Sequence, residues 1–373
     1  MLLAQGLAER SDQGGGSDLE ITVATRTPAG GMDNASLPFR VVRQPGPLTL
    51  FRLVKRADVI QLAGPCLLPM GLAIILRKPM VIEHHGYQAI CPNWLLLYEP
   101  TKTVCPGHFM GRQYTKCLGC NATNSGLLKS AVQLLLTFPH RWASKLATAN
   151  VPVSRHVENR IRLPRSRLIY HGIPDSNAGS ERPDTRTERD RPDPPVFAYV
   201  GRLVTEKGVH VLLQSAKELA DAGYSFQLKI LGDGPERAAL EKKVTSLGLQ
   251  GCVFFAGWLE GATLQAELEG VSAVVMPTLM EETAGLALME HMMRGGLVIA
   301  SDIGGMGEVV DGAGLKFVAG SVSGLTSCLR RVLDDPGLVK LLGDKARERA
   351  LRFFLRQRMI SEHLGLYRNC WET

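Results

Sequence analysis

The sequence contains no run of 18 apolar residues. Its longest apolar candidate, 62–76, is interrupted by Pro65, Pro69 and Gly71 and is too short to cross a bilayer. The opening MLLAQGLAERSDQ lacks the basic-then-apolar order of a secretory leader, so the expected compartment is the cytosol. Aromatic residues are only 6% of the chain and do not interleave with basic ones, which argues against a nucleic-acid partner. A G-x-G-x-x-G fingerprint is missing, so a nicotinamide-dependent oxidoreductase is not indicated. Eight cysteines are too few for a disulfide scaffold at this length.

What is present describes a globular chain of two domains. The sequence has 373 residues, 45% hydrophobic and 21% charged. Its net charge of +7 is unevenly placed: residues 1–175 hold 20 Lys and Arg against 10 Asp and Glu, and the remainder 23 against 26. A basic half fits a membrane surface, a phosphate-bearing acceptor or nucleic acid, and equally a solvated surface with no target. The stretch 176–195, SNAGSERPDTRTERDRPDPP, is charged, rich in proline and nearly free of apolar residues. It reads as a linker between an N-terminal domain (1–175) and a C-terminal domain (196–352). The tail 353–373 reads as a helix packing back on the N-terminal domain.

Both halves alternate strand and helix signals, the pattern of an α/β protein with parallel sheets. In the second half, strands are expected at 196–200, 226–231, 253–256, 273–276 and 298–300, and helices at 209–222, 235–247 and 286–293. In the first half, 20–25, 59–62 and 80–83 read as strands, and 163–170 includes another. Strand-loop-helix units place glycine-rich loops at the carboxyl ends of strands, where such sheets bind ligands.

Four of these loops carry chemistry. In PTLMEETAGLALME (277–290), Glu282 and Glu290 stand eight positions apart, and Gly285 and Leu286 open a helix. The free N–H groups and positive dipole end of that helix suit a diphosphate, and a carboxylate on either side suits sugar hydroxyls. In GRLVTEKG (201–208), Gly201 precedes Arg202 and Lys207, a pair able to neutralise phosphate charge. In LGDGP (231–235), Gly232 and Gly234 let a ligand approach the backbone. SDIGGMGE (301–308) is a fourth glycine-rich loop. Each alone is equally an ordinary loop or helix feature; their joint order and spacing is specific.

In that order the residues resemble glycosyltransferase family 4, whose members are retaining enzymes of the GT-B architecture, with two Rossmann-like domains facing each other across a cleft. The likeness covers most of 196–315 and, more thinly, pieces of the first half. It implies that Arg202 and Lys207 bind a donor diphosphate, together with Gly201, Gly232, Gly234 and the backbone at Gly285 and Leu286. Glu282 is then the residue on the donor sugar hydroxyls, and Glu290 the one on the nucleotide ribose. The stretch VIEHHG (81–86) resembles the family's strand-end histidine motif, which makes His85 the position facing the transferred sugar. The resemblance implies a nucleotide-diphosphate-sugar donor and a glycan or lipid-linked acceptor. No D-x-D motif is present, so no divalent metal is expected to be required for catalysis. The family's first strand and its glycine loop have no counterpart here, and Thr283-Ala284 stands where a proline and an aromatic are common. An alternative is therefore a truncated nucleotide-sugar-binding protein with little or no turnover.

Two further features lie in the first half. Cys91, Cys105, Cys117 and Cys120 cluster in an insert at about 91–120, the last two spaced C-x2-C. They read either as a structural zinc site or as unbridged thiols. The segment LLKSAVQLLLTFPHRWASKL (127–146) is apolar with scattered basic residues. It reads either as a buried core helix or as a basic amphipathic helix on an anionic membrane.

Overall fold

The computed structural model describes residues 2–12, 19–28, 36–175 and 193–372. Most of the expected linker at 176–195 therefore lies outside the described residues. The chain divides into two compact units. The first comprises residues 1–94, 107–174 and 354–373; the second comprises 95–106 and 175–353.

The first unit is built on a parallel sheet of β3 (Ile60–Ala63), β4 (Met80–His84) and β7 (Ala149–Pro152), with β4 in the middle. Its earlier strands β1 (Thr22–Thr25) and β2 (Arg40–Arg43) form a separate parallel pair. Strand β4 is buried throughout, and its side chains alternate between two cores. Met80 and Ile82 pack with α2 (Pro47–Arg56), α3 (Leu67–Ile75) and the end of α5 (Leu127–Leu146). Val81 packs on the opposite face with Met359 and Leu366 of the terminal helix α14 (Arg356–Trp371). The first helix, α1 (Leu2–Asp12), lies against α14, where a Cβ on Gly6 would fall 2.1 Å from Ile360 Cδ1. Two further helices, α4 (Tyr114–Ser125) and α6 (Arg155–Ile161), complete the unit.

One sequence expectation is corrected here. No strand forms within 163–170; a single bridge joins Ser166 to Asn150. Pro164 has no N–H to donate, and Arg162 and Arg165 adopt left-handed backbone (φ 48° and 50°). The segment still runs along β7, bonding through Arg167 N to Asn150 O and Ile169 N to Pro152 O.

Helix α5 is apolar on the wrong side for a core helix. Its buried residues are Ser130, Thr137, Ala143 and Ser144. Leu128, Val132, Leu135, Trp142 and Leu146 are exposed, at helical spacing on one face. The small inward side chains permit close packing on α4, with Ser130 Oγ donating to Leu118 O at 2.6 Å. Neighbouring α2 and α3 add exposed Leu48, Phe51, Leu68 and Ile75. Helices α2, α3 and α5 contain no acidic residue. No helix among the described residues is long and apolar enough to cross a membrane.

The second unit includes a short antiparallel hairpin, β5 (Leu97–Tyr98) with β6 (Thr103–Val104). Its main sheet has six parallel strands: β8 (Val196–Val200), β9 (Gln227–Leu231), β10 (Val253–Gly257), β11 (Ala273–Met276), β12 (Leu297–Ser301) and β13 (Leu315–Phe317). Their order is β10-β9-β8-β11-β12-β13. The chain works outward from β8 in one direction and then from β11 in the other. Such a sheet opens a crevice at the carboxyl ends of the two strands where the order reverses. Around the sheet lie α7 (Val209–Asp221), α8 (Arg237–Ser246), α9 (Gly261–Leu268), α10 (Leu286–Met293), α11 (Gly304–Val310), α12 (Val322–Asp334) and α13 (Pro336–Phe353).

Candidate functional site

The loops after β8 and β11 meet at that reversal point and are stitched together. Thr278 Oγ1 and Leu279 N both donate to Glu206 O, at 3.2 and 2.8 Å. Gly208 turns into α7 at φ 69°, and a Cβ there would lie 2.0 Å from Pro277 O. Within the first loop, Tyr199 Oη donates to Arg202 O at 2.8 Å. The glycine turn after β9 closes on the same loop: a Cβ on Gly232 would lie 1.8 Å from Gly201 O, and one on Gly234 would lie 2.4 Å from Leu203 O. Three strand-end loops thus pack backbone against backbone, a construction open only to glycine.

This packing brings Lys207 and Glu282 together, with Nζ 2.8 Å from Oε2 and both side chains mostly buried. Glu282 Oε1 is buried and makes no hydrogen bond among the described residues. The carboxylate therefore offers one oxygen to the lysine and keeps an acceptor in reserve. Its backbone is clamped from the fourth loop: Gly305 N donates to Glu282 O at 2.7 Å, and a Cβ on Gly304 would collide with Glu282 N and O. Arg202 is exposed at the mouth of the first loop. Buried Tyr199 lies within electrostatic range of both Arg202 and Glu282; burial foremost, reinforced by Glu282, pushes its phenol above the ordinary range.

Gly285 caps α10, and Leu286 is exposed at its first turn. The first bond inside the helix runs from Met289 N to Gly285 O, which leaves the preceding amides to face the loop. Glu290 is exposed about one turn from the start. Expected donor-site residues Gly201, Arg202, Lys207, Gly232, Gly234, Gly285, Leu286, Glu282 and Glu290 all belong to the second unit, and Lys207 and Glu282 are in direct contact.

His85 lies in the first unit, just beyond β4. Its Nε2 is 3.4 Å from Glu83 Oε2, and its Nδ1 is 3.3 Å from His171 Nε2, with the two rings parallel within 7°. His171 Nδ1 lies 3.9 Å from the other oxygen of Glu83. Burial works to raise the Glu83 carboxyl, but the His85 contact and the charges of His85, His363 and His171 outweigh it and hold the pKa at about 2. Burial, with the charge of His85, pulls His171 down to about 4. Neighbouring His84 is buried on the other face and is also pulled down to about 4 by burial. Asn150 fixes its tautomer. The amide nitrogen donates to Ser144 O and Pro164 O, so Asn150 Oδ1 accepts from His84 Nε2–H at 2.8 Å.

Sequence reasoning missed the Lys207–Glu282 contact and the roles of Glu83 and His171. The signal for Glu83 was a lone carboxylate on the apolar strand MVIEH. All four insert cysteines are buried. Cys91, Cys117 and Cys120 belong to the first unit and Cys105 to the second. Asn93 links two of them, accepting from Cys91 Sγ at 2.8 Å and donating to Cys120 Sγ at 3.7 Å.

Comparison with known proteins bears on this arrangement. Residues 181–349 match the family described as glycosyl transferases group 1. A 2-deoxystreptamine glucosyltransferase of Streptomyces kanamyceticus is 30% identical over 325 residues, covering 82% of each chain. An alpha-D-kanosaminyltransferase of the same organism is 28% identical, covering 74% of this chain and 67% of its own. Among solved structures, sucrose-phosphate synthase from Thermosynechococcus elongatus matches with a TM-score of 0.70 at 20% identity, over 99% of this chain and 92% of that one. Anabaena HepE, solved with UDP and glucose, matches with a TM-score of 0.68 at 17% identity, over 98% and 94%. The fold is that of the GT-B glycosyltransferases, α/β with parallel sheets. With a relative this similar over most of both chains, and strand-end loops assembled around Lys207 and Glu282, the chain belongs to the group 1 glycosyltransferases.

Proposed function

We propose that the protein transfers a sugar from a nucleotide diphosphate to a glycan or lipid-linked acceptor, with retention at the anomeric carbon. The observation that carries this reading is Glu282: one carboxylate oxygen on Lys207, the other buried and unpartnered among the described residues. A buried acceptor without a donor is costly, and a sugar hydroxyl satisfies it. Arg202, Lys207 and the amide end of α10 take the charge of the departing diphosphate, the main electrostatic demand of the reaction. Those groups make a divalent cation unnecessary for catalysis in this reading. Glu290 binds the ribose, and His85 keeps the sugar-facing role that the family resemblance implies. A structural zinc on the insert cysteines belongs to this reading as an expectation from the sequence, and metal analysis with thiol titration tests it.

The exposed apolar face of α2, α3 and α5 supports an acceptor carried at an anionic membrane surface. A second reading, a small aminocyclitol acceptor, is favoured by the 2-deoxystreptamine glucosyltransferase relative. Thermal shift with UDP-, GDP- and ADP-sugars identifies the donor, and partitioning of labelled product between water and lipid extract separates the acceptor readings. In the transfer assay, Lys207→Ala and Glu282→Ala are expected to lower kcat about 100-fold or more. Near-normal turnover in both folded variants overturns the site. Donor binding without product from any acceptor favours instead a nucleotide-sugar-binding protein without turnover.

A further inference from the structure

Beside His85 stand two groups, Glu83 and His171, to which the proposed transfer reaction assigns no part. Glu83 is 7% exposed. Its contacts among the described residues are the Gln61 amide, which donates to Oε2 at 3.2 Å, and the two imidazoles. No lysine or arginine pairs with it, although buried carboxylates are ordinarily matched by a fixed cation or a metal. Its place follows from the strand. Glu83 shares the face of β4 that Val81 turns toward α14, so the carboxylate is held by the sheet rather than by a loop. His85 continues from the same strand, and His171 is set beside it by the segment that bonds along β7.

Three bases, two nitrogens and a carboxylate oxygen, lie within 4.8 Å of one another. Ligand atoms around a tetrahedral ion with bonds of about 2.0–2.2 Å stand roughly 3.4 Å apart. The contacts of 3.3, 3.4 and 3.9 Å use both nitrogens of each ring and both carboxylate oxygens, so that spacing is reached when each residue turns a single atom inward, and one atom from each already lies within 4.8 Å of the others. A metal takes the deprotonated form of each ligand atom, so it competes with protons for these three bases. The two rings are parallel, so convergence on one ion takes a turn of one ring about its Cβ–Cγ bond. His85 has the room for that turn, with 37% of its side chain exposed.

We infer that Glu83, His85 and His171 form a binding site for a divalent transition metal of the zinc class, bound by two imidazoles and one carboxylate with a remaining position for water. The nitrogen donors select such an ion over magnesium or calcium, which prefer all-oxygen sites. Occupancy takes His85 away from a sugar hydroxyl, so the metal acts as an inhibitor; this consequence alone rests on the sugar-facing role proposed for His85. The site therefore differs from a metal required for catalysis.

Cobalt(II) titrated into the purified full-length protein tests the site without reference to turnover. The expected result is visible d–d absorption rising to one equivalent without thiolate-to-metal charge transfer. That absorption should persist in Cys117→Ser and weaken about tenfold or more in apparent affinity in Glu83→Gln and His171→Ala. Circular dichroism establishes that those two variants are folded. Two results overturn the inference: no d–d absorption in the wild type, or absorption with thiolate character that survives Glu83→Gln and His171→Ala. Because no sugar enters the experiment, its failure leaves the donor-site reading standing, and failure of that reading leaves the metal site standing.

Discussion

Gly232 shows how tightly the loops proposed to hold the donor are specified. Its φ is 154°, and the nearest atom to an added Cβ is a backbone oxygen, Gly201 O at 1.8 Å, which no side-chain rotation can relieve. Gly232→Ala is expected to cost about 1–3 kcal/mol in backbone strain, with the collision added. Thermal melting should fall by several degrees, and the donor-induced thermal shift should disappear. A variant that melts and binds like the wild type would remove the interlocked-loop account. The histidines give a second prediction at this scale. His84 and His171 fall from 6.5 to about 4 because burial disfavours their charged forms. As pH drops below 6.5 the unfolded chain takes up protons that the folded chain refuses, so stability is lost progressively between about 6.5 and 4. The loss is on the order of 3 kcal/mol per group at the bottom of that window. Glu83 acts lower, its contribution vanishing as pH falls from 4.5 toward 2. Melting temperature measured against pH should therefore slope down below 6.5, with a shallower slope in His171→Gln. A flat profile from 7 to 4.5 contradicts these shifts.

Helix α5 reverses the usual sense of an amphipathic element. A serine and threonine face lies inward and a leucine, valine and tryptophan face outward. With Lys129, Arg141 and Lys145 on the helix and Arg52, Lys55 and Arg56 on α2, the surrounding charge has one sign. Both properties match an anionic bilayer interface. Co-sedimentation with phosphatidylglycerol vesicles is expected, with little binding to phosphatidylcholine vesicles. Leu135→Glu with Trp142→Glu should abolish it at unchanged melting temperature. Equal binding of wild type and variant, or an apolar face that instead pairs two copies in solution, would refute the membrane assignment. The segment was legible in the sequence as an apolar stretch with basic residues, but its polarity of packing was not. Periodicity identifies an apolar face without revealing which side the protein covers. The same limit explains 163–170, where hydrophobic spacing suggested a strand and Pro164 prevented one. By contrast, helix 286–293 and strand 273–276 were readable to the residue, because Gly285, Gly295 and the PT turn bound them on both sides.

At the scale of the whole chain, order in sequence and membership in a unit diverge. Terminal helix α14 belongs to the first unit, where Met359, Leu366 and Cys370 close the core over Val81, Ala149, Val151 and Ile169. Removal of 354–373 uncovers that face of the central sheet. It is expected to unfold the first unit while the second keeps its six-stranded sheet. Limited proteolysis should then leave a fragment beginning near the linker, and intact proteolytic resistance of residues 36–174 would disprove the dependence. Most of the residues proposed to hold the donor were visible in the sequence through the glycines of their strand-end loops. The Lys207–Glu282 contact was not, since 75 positions separate two loops that only the reversed strand order brings together.

The placement of α14 also sets a schedule for biosynthesis. A ribosome delivers β3, β4 and β7 early, yet the helix that seals them emerges after the whole six-stranded unit has been made. The half synthesised first is thus the half that matures later, and until α14 emerges its sheet has one apolar face uncovered, the circumstance in which a nascent chain depends on a chaperone.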